Sequence, residues 1–151
     1  NHVEVFNSLY RLAVLDTINS YSYYNRAAEL AEKIEDEVNL IKSQEGMARS
    51  DAHDIETVIR LAEGYMKKKQ FKLADKWLDR GLEVDANSAQ LLLLKGDLLH
   101  DSGSDTVAVS FYRRARHDPA WESIAQQRIW NVIPPETEEE KLKKAFFGGS
   151  N

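Results

Sequence analysis

The sequence predicts an all-α fold built from repeated pairs of helices. Residues of high helix propensity (Ala, Leu, Glu, Lys, Arg and Gln) dominate the 151-residue chain. Only seven Gly and three Pro are available to interrupt helices. Apolar residues recur three and four positions apart, which places them on one face of a helix. Two consecutive segments of equal length, 55–88 and 89–122, align on each other without a gap. The offset between them, from residue 55 to residue 89, is the repeat length.

In this alignment, residues of similar size occupy the same positions. Small side chains recur where two helices must touch, and large apolar ones recur where a core must be filled. The matched pairs are Val58 and Leu92, Ala62 and Gly96, Tyr65 and Leu99, Ala74 and Ala108, Leu78 and Tyr112, and Gly81 and Ala115. The pattern resembles the tetratricopeptide (TPR) repeat, a helix–turn–helix unit of this length. The resemblance implies a right-handed superhelix of antiparallel helix pairs, with a concave groove lined by the first helix of each pair.

Residues 1–50 are expected to form an N-terminal helical hairpin, either a degenerate TPR unit or not a TPR unit. An amphipathic helix is predicted over about 3–18 and a long helix over about 23–48. Six apolar residues of the long helix follow a heptad-like spacing: Tyr24, Ala27, Ala31, Ile34, Val38 and Ile41. This seam has two interpretations. It packs within the chain on the first repeat, or it joins two copies, which makes the protein a self-associating structural module.

The rest of the chain divides at polar breaks. Residues 48–54 form a predicted loop in which Asp54 caps the next helix. The two repeats follow, and a capping helix is predicted over 123–133, because an end repeat has no neighbour to cover its apolar face. Pro134 and Pro135 stop that helix. Thr137 and Glu140 then form a capping box that opens a short helix over 136–147, within what we expect to be a single α-helical domain over 1–151.

The composition excludes several classes of function. The net charge is −5 at pH 7, whereas general nucleic-acid binding needs an excess of Lys and Arg. The chain has no Cys, so disulfides, thiol nucleophiles and thiolate metal sites are impossible. No apolar run approaches the roughly 20 residues that a membrane-spanning helix needs. The chain begins with Asn1 and not Met, so we expect a fragment or a processed product; its location stays open between the cytoplasm and a soluble domain of an anchored or exported protein.

No residue pattern typical of an enzyme or a metal site occurs. The chain has no Gly-rich phosphate loop and no G-x-S-x-G motif. The run 51–54 (Asp-Ala-His-Asp) lacks a second His at helical spacing, and we interpret it as a helix cap and loop. The basic run 113–117 ends a predicted helix, where the helix dipole favours cations. We therefore expect no catalytic residue, no cofactor and no metal.

The TPR resemblance also implies which residues line the groove. They are Glu56, Ile59, Glu63 and Met66 in the first repeat, and Gln90, Leu93, Asp97 and His100 in the second. TPR proteins that grip a C-terminal carboxylate use Lys, Asn and Arg at such positions, and none of these types stands there. The predicted groove is acidic with apolar patches. We expect a non-enzymatic scaffold or adaptor that binds a basic, partly apolar peptide or helix of another protein. The alternative is a solvated acidic face, covered by the N-terminal helices.

Overall fold

The computed structural model describes residues 1–148, and these residues form nine α-helices and no strand. The helices are α1 (His2–Leu15), α2 (Ser20–Lys33), α3 (Glu37–Ser50), α4 (Ile55–Lys67), α5 (Phe71–Val84), α6 (Ala89–Asp101), α7 (Asp105–Ala115), α8 (Glu122–Val132) and α9 (Glu138–Phe147). The prediction of an all-α fold is therefore confirmed over this range. None of these helices combines the length and the apolar character needed to cross a bilayer.

Helices α2 to α7 form three antiparallel pairs with the same turn. The turn residues Glu35, Lys69 and Gly103 have positive φ (57°, 56° and 81°), and each stands one repeat length from the next. In each turn a backbone N–H reaches back to a carbonyl five residues earlier. These bonds run from Asp36 to Ala31 (2.9 Å), from Gln70 to Tyr65 (2.9 Å) and from Ser104 to Leu99 (2.8 Å). This pairing ends a helix in a left-handed residue and turns the chain back on itself. The segment before residue 55 thus folds as a helix pair in the repeat register.

The predicted long helix over 23–48 is wrong, because the chain breaks between α2 and α3. Helix α2 ends at Lys33, and Glu35 adopts the left-handed conformation. Asp36 then starts α3, since its carboxylate accepts a hydrogen bond from the backbone N–H of Asn39 at 3.0 Å. The first helix is also shorter than predicted, because it ends at Leu15 and not near Ile18.

The residues of the predicted seam are divided between α2 and α3. Ala27 and Ala31 are fully buried within the chain, where they pack against α1. Val38, in contrast, is 70% exposed. The ring of Tyr24 lies against Gly46 of α3, and Ile41 packs on the core of the next pair. No continuous stripe therefore runs through these six positions.

Small residues set how closely the helices approach. A Cβ on Gly96 of α6 would overlap the ring of Tyr112 on α7, which is only 1% exposed. In α5, a Cβ on Gly81 would come within 2.8 Å of Leu91 on α6. Both glycines permit close helix contact at a cost of about 1 kcal/mol of helix propensity each. The Gly96 contact closes the α6–α7 pair, and the Gly81 contact joins α5 of one pair to α6 of the next.

Helix α1 lies in the register of a second helix of a pair. Phe6, Tyr10 and Ala13 stand two repeat lengths before Ala74, Leu78 and Gly81. Phe6 packs with α2, and the Tyr10 hydroxyl lies 3.0 Å from the hydroxyl of Ser43 on α3. The helix covers the outer end of the first pair.

Helices α8 and α9 close the described chain in different ways. Ala125 and Ile129 of α8 are buried against α7 and belong to the same core cluster as Leu92, Ala108 and Tyr112 of the α6–α7 pair. Thr137 and Glu140 form the predicted capping box at the start of α9, which is confirmed. No residue of α9 is buried. Helix α8 is thus part of the fold, whereas α9 projects from it.

Candidate functional site

The first helices α4, α6 and α8 line one side of the stack and carry the candidate groove. Helices α4 and α6 contact each other directly. Ile59 and Leu93 are buried and form an apolar floor. Glu63 and Gln90 are exposed beside them. These residues come from successive first helices of the repeat, so the floor and its polar edge continue from one helix to the next.

A small cavity of about 80 Å³ brings four of the eight predicted residues together. Its lining comprises Ile59, Glu63, Gln90 and Leu93, together with Leu94, Trp121 and Arg128. Trp121 immediately precedes α8, and Arg128 lies on that helix. The groove therefore continues past the second repeat onto α8, and its wall on that side is aromatic and cationic.

The other predicted residues of α4 lie outside this cavity. Glu56 is exposed and accepts a hydrogen bond from Arg60 one turn later, at 2.6 Å. Such an exposed pair contributes little to stability, about 0.5 kcal/mol. Met66 is half-buried and packs against the core of the α4–α5 pair. Of the two glutamates of α4, Glu63 is the one placed against the apolar floor.

Asp97 of α6 is the centre of a hydrogen-bonded network. Arg128 donates two bonds to its carboxylate, from Nε at 2.7 Å and from Nη2 at 3.0 Å. The Tyr112 hydroxyl donates a third at 2.9 Å. Burial and the nearby Asp97 charge raise the pKa of Tyr112, and the bond to Asp97 raises the pKa of Arg128. The two-bond geometry gives this pair both strength and a fixed orientation. The Asp97 carboxylate is therefore paired within the chain.

A larger cavity of about 570 Å³ lies between α6 and α8. The predicted residues Asp97 and His100 line it from α6, with Tyr112 behind them. The opposite wall belongs to α8 and comprises Ser123, Ile124, Gln127, Arg128, Asn131 and Val132. The Nδ1 atom of His100 lies 2.6 Å from the carboxylate of Asp105 at the start of α7. Arg128 lines both cavities, and we refer to the two together as the trough along α4, α6 and α8.

Sequence reasoning missed the contribution of α8 to the groove. Ile124, Gln127 and Asn131 stand one repeat length after Gln90, Leu93 and Asp97. The repeat spacing, extended by one more unit, points to all three. Arg128 falls outside that pattern, and its part in the site follows only from the packing of α8 beside α6.

Within residues 1–148, no group of three or more His, Asp or Glu side chains is placed to hold a metal ion. The run 51–54 serves the start of α4. The carboxylate of Asp54 accepts hydrogen bonds from the backbone N–H of Thr57 at 3.0 Å and from the Tyr21 hydroxyl at 2.6 Å. That second bond raises the pKa of Tyr21 to about 12. The surroundings of these residues are those of a helix cap.

Comparisons with solved structures show which fold this is. The chain is similar to the TPR2B domain of yeast Sti1, solved in complex with pHsp70, with a TM-score of 0.64, 14% identity, and coverage of 75% of this chain and 95% of that one. It is similar to the Arabidopsis OM64 TPR domain, with a TM-score of 0.65, 10% identity, and coverage of 77% and 96%. The chain has the tetratricopeptide-repeat fold. The predicted TPR architecture is thus confirmed.

A third TPR-fold likeness extends over almost the whole chain. MamA aligns with a TM-score of 0.61 and 14% identity, covering 98% of each chain. A scan against protein-family models finds no match, and a search of curated proteins finds no similar sequence. The likeness is therefore one of TPR fold.

Proposed function

We propose that this chain is a non-enzymatic protein-interaction module whose concave groove binds a peptide or helix of a partner protein. The observation that supports this most strongly is the open trough along α4, α6 and α8, in which buried Ile59 and Leu93 form an apolar floor beside exposed Glu63. A shallow apolar floor with polar groups at its edge is suited to taking one side chain of an extended or helical ligand. Residues of α4, α6, α7 and α8 line the two cavities, together with Trp121, which precedes α8. Helix α1 packs on α2 and α3 and contributes no residue to either lining.

The charges of the groove favour a ligand with basic and apolar residues. Arg128 and Asp97 satisfy each other, so their charges largely cancel for an approaching ligand. The carboxylate of Glu63 remains exposed at the α4 end, whereas the carboxylate of Glu56 is paired with Arg60. A Lys or Arg of the partner would meet Glu63 there, while an apolar side chain enters the space above Ile59 and Leu93.

A groove that grips a free C-terminal carboxylate is not favoured by the same geometry. The cation nearest the floor is Arg128, and both of the bonds that its guanidinium fork makes go to Asp97. A ligand carboxylate would have to break that pair, and it would also meet the negative charge of Glu63.

The proposal is tested with fluorescent peptides of equal length and equal apolar content that carry either Lys or Glu. We expect the Lys peptides to bind the wild-type chain more tightly. Glu63→Lys should weaken their binding about three- to tenfold, because it replaces an exposed attraction by a repulsion. The matched control is Glu83→Lys, the same charge reversal at an exposed position on α5, outside the groove. Equal affinities of the acidic and basic peptides for the wild type would reject the proposed ligand class.

A further inference from the structure

The apolar face of α9 has no partner within its own described chain. Leu142 is 56% exposed and Phe146 is 78% exposed. These two residues stand one repeat length after Ala108 and Tyr112 of α7. Ala108 and Tyr112 are the residues with which α7 packs against its first helix α6. In sequence register, α9 is thus the second helix of a further pair.

Helix α8 shows the complementary situation, because within residues 1–148 no second helix packs on it to complete a pair of its own. Trp130 of α8 is 44% exposed, and Ile133, the C-cap residue that follows the helix, is 52% exposed. A depression of about 340 Å³ lies next to Trp130, lined by Pro119, Glu122, Ser123, Gln126 and Gln127. Gln126 and Trp130 stand one repeat length after Leu92 and Gly96, which α7 covers in the preceding pair. The depression therefore marks the place where a second helix belongs.

The segment between α8 and α9 prevents the usual return turn. In the preceding pairs, the first helix continues to Lys67 or Asp101, but α8 ends at Val132, three residues earlier in the register. Pro134 and Pro135 follow, and a residue before proline is held extended, as Ile133 is here (φ −126°, ψ 90°). Proline also restricts its own backbone and has no N–H to donate. The chain therefore leads α9 away from its own α8.

We propose that α9 of one copy docks on α8 of a second copy and supplies its missing second helix. The exchange is reciprocal, so that two copies form a closed dimer with two equivalent contacts. Leu142 and Phe146 then cover Trp130 and Ile133. Since Trp130 stands where the other first helices have Ala28, Ala62 or Gly96, the docked helix lies further from α8 than α7 lies from α6. The groove of the proposed function is not required for this contact.

The 151-residue chain should be a dimer in sedimentation equilibrium at micromolar concentration. Leu142→Glu and Phe146→Glu should each raise the dimer dissociation constant about tenfold or more, because each removes a buried apolar side chain from the contact. Neither residue is buried in the described part of its own chain, so circular dichroism at room temperature should show unchanged helicity, whereas thermal unfolding of the wild type, but not of the variants, should depend on protein concentration. The matched control is Val38→Glu, an equally exposed apolar residue on α3, which should leave the dissociation constant unchanged.

A second variant tests the role of the linker. Five substitutions, Pro134→Met, Pro135→Lys, Glu136→Lys, Thr137→Lys and Glu138→Gln, reproduce the turn residues 66–70 at the equivalent positions. We expect this variant to be a monomer, because α9 can now fold back on its own α8. A wild-type chain that stays monomeric, a dimer that persists in Leu142→Glu, or a turn variant that still dimerises would overturn the exchange of α9.

Discussion

The same substitution, Gly to Ala, should have opposite effects at two positions of the first helices. Gly96 in α6 and Gly64 in α4 both lie inside helices, so Ala at either position gains about 1 kcal/mol of helix propensity. At Gly64 the new Cβ would lie 3.6 Å from the side chain of Ile41, an ordinary van der Waals distance. Gly64→Ala should therefore raise the free energy of unfolding by about 0.5–1 kcal/mol.

At Gly96 the new Cβ overlaps the ring of Tyr112. That ring is held in place, because it is fully buried and its hydroxyl donates to Asp97 at 2.9 Å. Overpacking costs about 1–3 kcal/mol, and displacement of the ring adds about 1 kcal/mol for the lost hydrogen bond. After the gain in propensity, Gly96→Ala should lower the free energy of unfolding by about 1–3 kcal/mol.

Urea unfolding at room temperature, followed by circular dichroism, measures both variants. The corresponding fall in midpoint temperature for Gly96→Ala is about 2–4 °C for each kcal/mol, given a chain of this size. Unchanged slopes of the free energy of unfolding against urea concentration would show that the two-state comparison between the variants and the wild type holds. The reasoning is refuted if Gly96→Ala is as stable as the wild type, or if Gly64→Ala is destabilised to a similar degree.

Three further outcomes follow from the turns and the buried polar groups. Lys69→Gly should stabilise the chain by about 0.5–1 kcal/mol, because Lys69 has positive φ. Lys68→Gly should not stabilise it, because Lys68 has a φ of −82°. Chemical denaturation of both variants compares the two. Burial alone would lower the pKa of Lys95, but hydrogen bonds to two Asp carboxylates of α5 outweigh it and raise that pKa. The contribution of the Lys95 charge to the free energy of unfolding, measured against Lys95→Met, should thus be constant below about pH 10 and should decrease as the pH rises further. Denaturation curves collected from about pH 8 to 11 measure this difference. Asp97→Ala should destabilise the chain by about 1–3 kcal/mol, and a double-mutant cycle with Arg128→Met should show coupling of at least about 0.5 kcal/mol; additive effects would contradict the network.

The repeats were predictable because their signal is local and strong. Apolar residues at helical spacing, small residues at the contact positions and a constant repeat length can all be read from short windows of the chain. The break between α2 and α3 escaped this reasoning, because the apolar spacing of three and four continues across it from Ile34 to Val38. Glu35 also gives no warning, since Gly or Asn is the usual residue in a left-handed turn. A signal was present nonetheless: Glu35 precedes Lys69 by one repeat length, and Asp36 is a suitable helix cap.

The candidate groove was predictable only in part. The positions on α4 and α6 followed from the repeat register, and the structure places Ile59, Glu63, Gln90 and Leu93 around one cavity. The pairing of the Asp97 carboxylate was not predictable, because its partner Arg128 lies 31 residues away and outside the repeating positions. An acidic residue in a sequence shows its charge, but its neighbours in space decide whether that charge is free.

By itself, the sequence determined that this chain forms stacked helix pairs, since the period of its apolar and small residues depends on the geometry of the helix alone. It also determined that no disulfide and no thiolate metal site can form within the chain, because the chain has no cysteine. The tertiary structure decided which acids of the candidate groove are paired, that α8 lines the same cavities as α6, and that α9 stands without a partner in the described part of its own chain. These outcomes depend on distances between residues of different helices, and such distances are fixed only when the helices pack.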